Sequence, residues 1–399
     1  MKINSAQKPA ALGGKPIFEN PVSFNCPTLP TFTAVQTEIE RVMAGGHLTN
    51  GPKVAELETK AADYFGRLAV ALASCTSGLI LTAKVLGLTG QVIVPSFTFF
   101  ATSHSLIWNN LEPLFVDIRA DSWNIDPEAV EAAVNPRVSA ILAVDVFGNP
   151  GDKDELQGIA RKHGLKLITD AAHSFGATYR NRAVGGFGDA EVFSLSPTKL
   201  VVAGEGGLVG VENEAVAEEL RIARDYGNEG EYDCRFVGLN ARLPEINAVI
   251  ASAGIEMLAD NVAHRQEIAA CYGEGLAEIP GLVRQKIDSG NRSTFKDVSW
   301  TVDPEEFGID RNQLAEALAA EGIPTRKYFY PPAHLQSAYK GHVSIAGDLP
   351  ITGKVSNQII CFPIYSHMPK SMVEKICLAI DRIFQNSDGL RAAATAITS

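Results

Sequence analysis

The stretch Leu165-Lys166-Leu167-Ile168-Thr169-Asp170-Ala171-Ala172-His173-Ser174-Phe175-Gly176 decides the fold. Its first five residues are too uniformly apolar for a strand with one face in water, and they read as a strand covered on both faces. Upstream, Asp152 to His163 reads as a helix with Asp152 at its N-cap and Gly164 as its stop. Before that helix comes another strand of the buried type, Ala140-Ile141-Leu142-Ala143-Val144. The alternation continues outward in both directions. Pro127 to Val134 is helical, Gln91-Val92-Ile93-Val94 and Leu114-Phe115-Val116 are strands, and further on come Glu191-Val192-Phe193-Ser194 and Gly207-Leu208-Val209-Gly210-Val211. Strand, helix, strand as a repeating unit from about Gly51 to Val211 predicts an α/β domain with a mainly parallel sheet between helices.

Beyond Asn213 the pattern becomes mainly helical through Gly275, with Pro244 to Leu258 as a long connecting helix. After Pro280 short strands and helices mix. Asn312 to Glu321 is an amphipathic helix, Thr325 to Tyr330 a strand and Lys370 to Gln385 a closing helix, while Leu390 to Ser399 is rich in Ala and Thr and expected to be loosely held. At about 150 residues per domain, a chain of 399 residues divides into a large domain, residues 1–255 with the N-terminal segment, and a smaller α+β domain, residues 256–399. No internal repeat or low-complexity linker interrupts it.

Composition narrows the function. Hydrophobic residues are 46% and charged residues 20% of the chain, the balance of an ordinary folded protein rather than a disordered or fibrous one. Thirty-five Lys and Arg against forty-six Asp and Glu leave a net charge of −11, the wrong sign for coating nucleic acid. No apolar run reaches the roughly 18 to 20 residues that span a bilayer, and Met1 to Gln7 lacks the apolar core of a signal peptide, so the expected compartment is the cytoplasm. The six cysteines, Cys26, Cys75, Cys234, Cys271, Cys361 and Cys377, have no paired metal or redox spacing and read as reduced thiols, mostly small core residues. No metal site is expected.

Three features lie at or near strand ends, where open α/β sheets bind ligands. Asp170 follows an apolar strand, where a carboxylate costs desolvation unless a cation or strong donor meets it; taken singly, it reads equally well as a turn cap. Lys199, in Phe193-Ser194-Leu195-Ser196-Pro197-Thr198-Lys199, also follows an apolar strand, and an amine in such surroundings becomes a nucleophile for carbonyls; taken singly, it reads as a solvated loop lysine. Gly204-Glu205-Gly206-Gly207 is a turn that lets the backbone approach a ligand. Jointly they point to pyridoxal phosphate, which needs a lysine for its Schiff base and an acid to keep its ring nitrogen protonated. Ser74-Cys75-Thr76-Ser77-Gly78, ahead of the helical Leu79 to Leu86, offers hydroxyls and free N–H groups for the phosphate, or else an ordinary helix cap.

The ordered set Asp170-Ala171-Ala172-His173, Phe193-Ser194 with Pro197-Thr198-Lys199, and Gly204-Glu205-Gly206-Gly207 closely resembles the sugar aminotransferases of the DegT/StrS family, within the fold-type I pyridoxal phosphate enzymes. The likeness spans nearly the whole chain, from Leu48-Thr49-Asn50-Gly51-Pro52 through Pro95-Ser96-Phe97-Thr98-Phe99 to Pro324-Thr325-Arg326-Lys327-Tyr328. It implies that Lys199 forms the Schiff base and that Asp170 partners the pyridinium nitrogen. Phe99 would then stack on one ring face, His173 would stand near the ring oxygen, and Thr76, Ser77 and Ser194 would hold the phosphate. Asn240, in Leu239-Asn240-Ala241-Arg242-Leu243-Pro244, would reach the cofactor of a neighbouring subunit, making the active unit at least a homodimer. From the residues alone, Asn240 reads as a helix N-cap and Phe99 as a core aromatic.

The resemblance also implies an exchange in two stages. Glutamate leaves its amino group on the cofactor as pyridoxamine phosphate, and a nucleotide-linked keto sugar then takes it, with Lys199 moving the proton both times. Ala11 to Pro16, Gly87 to Ile93 and Arg326 to His334 look most like the branch that aminates C4 of dTDP-4-keto-6-deoxyglucose, with C3 or keto-cyclitol amination as the runner-up. Arg326, Tyr328 and His334, with Asn50 on the opposite lip and Lys327 nearby, are candidates for the sugar nucleotide; singly each reads as a solvated surface residue. A pyridoxamine-dependent sugar dehydratase would carry His where Lys199 stands, and a non-catalytic regulatory relative would have no need of Asp170, Lys199 and Glu205 together. None of the cysteines lies in a convincing mobile loop of the kind a desulfurase needs. An amino acid aminotransferase would need an arginine for the substrate carboxylate, a part Arg326 could fill.

Overall fold

The computed structural model describes residues 8–230 and 232–398, with side chains as far as residue 393. Residues 1–7 and Ser399, at the two ends of the sequence readings above, lie outside the described residues. In chain order the strands of the first half are β1 (Leu68–Leu72), β2 (Gln91–Pro95), β3 (Glu112–Val116), β4 (Val138–Val144), β5 (Lys166–Asp170), the short pair β6 (Thr178–Tyr179) and β7 (Arg182–Ala183), β8 (Ala190–Ser194) and β9 (Gly207–Val211). The second half adds β10 (Leu282–Arg284), β11 (Val298–Val302), β12 (Ser344–Ile345) and β13 (Ile359–Phe362). The main sheet runs β1-β9-β8-β5-β4-β2-β3-β12. Pairings from β8 through to β12 are parallel, and β9 alone runs against its neighbours β1 and β8.

The strands are mostly apolar because helices cover both faces. On one face Val70, Val92, Leu142, Ile168 and Val192 pack with Leu79 and Leu106 from α3 (Cys75–Val85) and α4 (Phe100–Ile107). On the other, Ile93, Ile141 and Leu167 meet Val130 and Leu156 of helices Pro127–Ala133 and Lys153–His163. Gly164 ends the second of these at φ 66°, as a stop requires. Asp152 precedes that helix without capping it, and its carboxylate faces Arg119 at 3.8 Å instead.

The second half builds a three-stranded antiparallel sheet, β10-β11-β13, under helices Leu258–Leu276, Arg311–Ala320 and Lys370–Phe384, which share one apolar core. Two segments cross the division expected at 255/256. Leu12, Ile17 and Phe18 pack on the core of the C-terminal unit, where buried Glu321 accepts hydrogen bonds from the N–H groups of Ala10 and Ile17, both at 2.9 Å. Conversely, β12 adds a strand to the main sheet beside β3.

Two expectations change. Thr325 to Tyr330 is not a strand: only Arg326 bridges to Cys361, and the chain there contains two cis peptides, Tyr328–Phe329 and Tyr330–Pro331. The connecting helix is found at Glu245–Glu256, within two residues of its expected bounds, and a second helix, Leu258–Leu276, follows it at Met257. The C-terminal stretch is helical, Ser387–Thr398, with Leu390 in the core; its alanines favour helix as much as they lack bulk. The cysteines lie mostly in the cores as expected: Cys361 and Cys377 are buried, Cys26, Cys75 and Cys271 pack partly buried against a core, and Cys234 is exposed.

One buried carboxylate ties the halves of the large unit together. Glu245 accepts from the N–H groups of Gly51 (2.9 Å), Lys53 (2.8 Å) and Val54 (3.0 Å), the open N-terminus of helix α2 (Pro52–Phe65). Glu245→Ala should therefore lower stability by about 3 kcal/mol, measured as a shift of the urea midpoint at constant slope.

Candidate active site

Strands β4, β5 and β8 end together at one edge of the sheet, and each delivers a polar side chain to a cavity of about 650 Å³: Asp145 just past β4, Asp170 at the end of β5, Ser194 at the end of β8. Lys199, Thr76, Phe99 and His173 line the same space. The opposite wall comes from the C-terminal half through Lys296, Asp297, Arg326 and Tyr328. Residues far apart in sequence converge here because parallel strands all point their C-terminal ends the same way.

Asp170 is buried. Its carboxylate accepts from the hydroxyl of Thr102 at 2.7 Å and from the N–H of Ala172 at 3.2 Å. Burial still holds its carboxyl above the ordinary range, against the pull of Thr102, Ala172 and Lys199. Such a group gains from any cation brought to it. Lys199 makes no side-chain hydrogen bond or ion pair among the described residues, and burial, helped by the charge of Lys296, lowers its amine to about 8. His173 is driven well below its usual value by burial, then by Lys199 and Lys296, and so is neutral. Its ring lies parallel to that of Phe147, centroids 6.5 Å apart.

At the other end of the cavity stands the N-terminus of α3. Ser74 caps it: its hydroxyl accepts from the N–H of Ser77 at 3.1 Å, and the Ser77 hydroxyl in turn accepts from the N–H of Ser74. Ser77 is thus engaged in the cap and does not line the cavity, whereas the N–H groups of Cys75 and Thr76, at the first two helical positions, have no partner among the described residues. In the turn Gly204 to Gly207, Glu205 lines the cavity and Gly207 lies close against this helix end. A Cβ on Gly207 would fall 2.5 Å from the carbonyl carbon of Ser74.

The structure brings Thr76, Phe99, Asp170, His173, Ser194, Lys199, Arg326 and Tyr328 to one cavity, and leaves Ser77, Lys327, His334, Asn50 and Asn240 outside it. His334 is turned to the Ser96 hydroxyl, 2.6 Å from its Nδ1, and lines a separate cleft with Tyr330 and Leu335. Asn50 adopts φ 55°, its N–H donating to Leu243 O at 3.1 Å. Asn240 is exposed, its side-chain oxygen accepting from Arg242 at 3.2 Å.

Sequence reasoning missed Thr102, Asp145 and the pair Lys296–Asp297. Asp145 carried the signal used for Asp170, a carboxylate directly after an apolar strand. It is buried with Lys153 at 3.1 Å, which also reaches Glu191 at 2.7 Å. Thr102, on a helix face, and Lys296–Asp297, adjacent opposite charges in a loop, carried no such signal.

A ring-sized cavity with an unpaired amine, a buried acid short of a cation and an anion-seeking helix end fits pyridoxal phosphate, and this geometry defines a fold-type I aminotransferase. The chain belongs to the DegT/DnrJ/EryC1/StrS aminotransferase family, whose model matches residues 33–381, and like that family it is pyridoxal-phosphate-dependent. It is 34% identical to the dTDP-4-amino-4,6-dideoxy-D-glucose transaminase of Escherichia coli, over 88% of this chain and 95% of that one. Identity to the dTDP-3-amino-3,4,6-trideoxy-alpha-D-glucose transaminase of Streptomyces venezuelae is 32%, over 86% and 90%. The crystal structure of DesI in the presence of its TDP-sugar product superposes with a TM-score of 0.91 at 33% identity, covering 97% of this chain and 98% of that one.

Because Thr102 supplies the shorter of the two hydrogen bonds to Asp170, Thr102→Val should weaken pyridoxal phosphate binding about tenfold, read as the dissociation constant from fluorescence quenching of the cofactor-free chain. An unchanged constant would remove Thr102 from the site.

Proposed function

We propose that the protein moves an amino group from glutamate to C4 of a dTDP-4-keto-6-deoxyglucose. The observation that carries this reading is the match to a dTDP-4-amino-4,6-dideoxy-D-glucose transaminase over almost the full length of both chains, together with a backbone close to that of DesI with its TDP-sugar product. The 3-amino relative makes C3 amination the second reading. The six unpaired thiols support a reducing, cytoplasmic setting.

Bound pyridoxal phosphate supplies the carbonyl that carries the amino group between the two substrates and the electron sink for the carbanion at the reacting carbon. The chain's residues do the rest. Thr76, Ser194 and the N–H groups of Cys75 and Thr76 hold the phosphate, and Phe99 covers one ring face. Asp170 keeps the proton on the ring nitrogen, the cation its buried carboxylate lacks. Lys199 holds the cofactor in the resting state, and its Nζ then takes the proton from the donor's α-carbon and later returns one to the sugar carbon. A free base is needed for that, and burial supplies it near neutral pH. His173, neutral, serves as a hydrogen-bond partner rather than a cation. Arg326 and Tyr328 at the mouth face the nucleotide. Asn240 lies away from its own chain's cavity, which supports its use in a neighbour's site and hence a homodimer.

Absorbance of the cofactor-loaded protein tests the reading. Glutamate should convert the long-wavelength band to the pyridoxamine form, and dTDP-4-keto-6-deoxyglucose should restore it; restoration only by a 3-keto sugar would move the assignment to C3. Lys199→Ala should abolish both the band and turnover, and Asp170→Asn should keep cofactor bound while slowing both half-reactions at least 100-fold. In the wild type, the rate at which the cofactor-free chain takes up pyridoxal phosphate should rise with pH and level off above about 8, since the unprotonated amine is the reactive form; a rise continuing to pH 10 would contradict the buried environment. Mixed dimers of Lys199→Ala and Asn240→Ala chains should regain one working site in each dimer. No recovery would place Asn240 within its own chain.

A further inference from the structure

Lys296 and Asp297 are neighbours in sequence and almost fully buried, 4% and 3% exposed, yet both line the cavity that holds Lys199 and Asp170. The Lys296 ammonium donates to both oxygens of Asp297, at 2.9 and 3.0 Å. An ammonium has three donors. The third has no hydrogen-bond partner among the described residues, and Nζ stands 6.0 Å from the ring centroid of Tyr328. A buried ion pair is a weak source of stability, so its presence in the wall of a ligand cavity invites a functional account.

The backbone around the pair is fixed to the edge of the main sheet. The N–H of Lys296 donates to Phe147 O at 3.0 Å and that of Thr294 to Gly148 O at 3.1 Å, while the Thr294 hydroxyl donates to His173 O at 2.6 Å. A Cβ on Gly148 would lie 1.9 Å from that hydroxyl. Both Phe147 (φ 59°) and Phe295 (φ 45°) adopt the left-handed conformation, rare for bulky residues and concentrated at functional sites. From behind, buried Arg265 donates to the carbonyls of Phe295 (3.0 Å) and Lys296 (3.2 Å).

Three cations line the cavity: Lys199, Lys296 and Arg326. Lys199 is committed to the chemistry. Arg326 is exposed, its guanidinium 5.1 Å from the ring centroid of Phe24. An aminotransferase of the kind proposed above must accept in one space first a donor with a carboxylate on the reacting carbon and then a sugar with none. A cation dedicated to the first substrate would be left buried and unpaired by the second unless a resident anion took it back.

We propose that Lys296 is a specificity-determining residue that binds the α-carboxylate of the amino donor, with Asp297 as the counter-ion to which it returns when the sugar occupies the site. The proposal rests on the transamination reading above and involves exchange of one ion pair for another, with no covalent change.

Cofactor-loaded Lys296→Met, Lys296→Arg and the double variant Lys296→Met/Asp297→Asn separate the possibilities when the two half-reactions are followed one at a time by absorbance. In Lys296→Met, KM for glutamate should rise about 30-fold or more, far more than KM for the sugar nucleotide, and Lys296→Arg should recover most of the loss. The double variant, which buries no lone charge, should show the same selective loss, and it carries the comparison if the single variant does not fold. An equal rise for both substrates, or none, would overturn the proposal while leaving transamination intact. A rise confined to the sugar nucleotide would overturn it too, by assigning Lys296 to the diphosphate. Wild-type enzyme that glutamate does not convert would overturn the transamination reading and this one together.

Discussion

The carboxylate of Asp170 sits at the end of β5 with two hydrogen-bond donors and, among the described residues, no ion-pair partner, and the surrounding structure is arranged to tolerate that. Burying it costs free energy that Thr102 and Ala172 only partly offset, which is why its carboxyl stays above the ordinary range. The deficit becomes useful once a protonated ring nitrogen arrives. On the reading proposed above, that contact would keep the ring in the charge state that stabilises a carbanion.

Lys199 follows from the same logic with the sign reversed. Burial that raises an acid lowers an amine, and the second positive charge of Lys296 adds to the effect, so that an amine held at about 8 is partly unprotonated at neutral pH. One buried environment thus raises an acid and lowers an amine in the same cavity. Asp145, with buried Lys153 and Glu191 behind it, places further fixed charge beside the site without exposing any of it to water.

The cavity needs both halves of the chain. The sheet edge supplies Asp170, Ser194 and Lys199, and the loop pinned by Arg265 and Thr294 supplies Lys296 and Asp297. Anchoring of the N-terminal segment on Glu321 and pairing of β12 with β3 connect the two units on either side of that cavity, so the distance across it is set by several independent contacts.

The main sheet was legible in the residues because burial on both faces leaves almost continuous apolar runs, and β5, β8 and β9 fell within a residue of their expected bounds. Asp170 and Lys199 were legible for the same reason: a charge directly beyond such a run has to answer for its desolvation. Thr325 to Tyr330 misled because β-branched and aromatic residues suggest a strand whether or not a partner exists, and here only Arg326 finds one. His334 looked like a substrate ligand beside Arg326, but a hydrogen bond to Ser96 turns it into another cleft. What the sequence determined by itself was the alternating sheet and the two groups whose burial their own neighbours announce. Asp145 bore the same mark as Asp170, directly after an apolar strand; only the tertiary structure decided that Thr102, Lys296 and Asp297 belong with them, because their burial is imposed by segments distant in the chain and leaves no mark on the residues beside them.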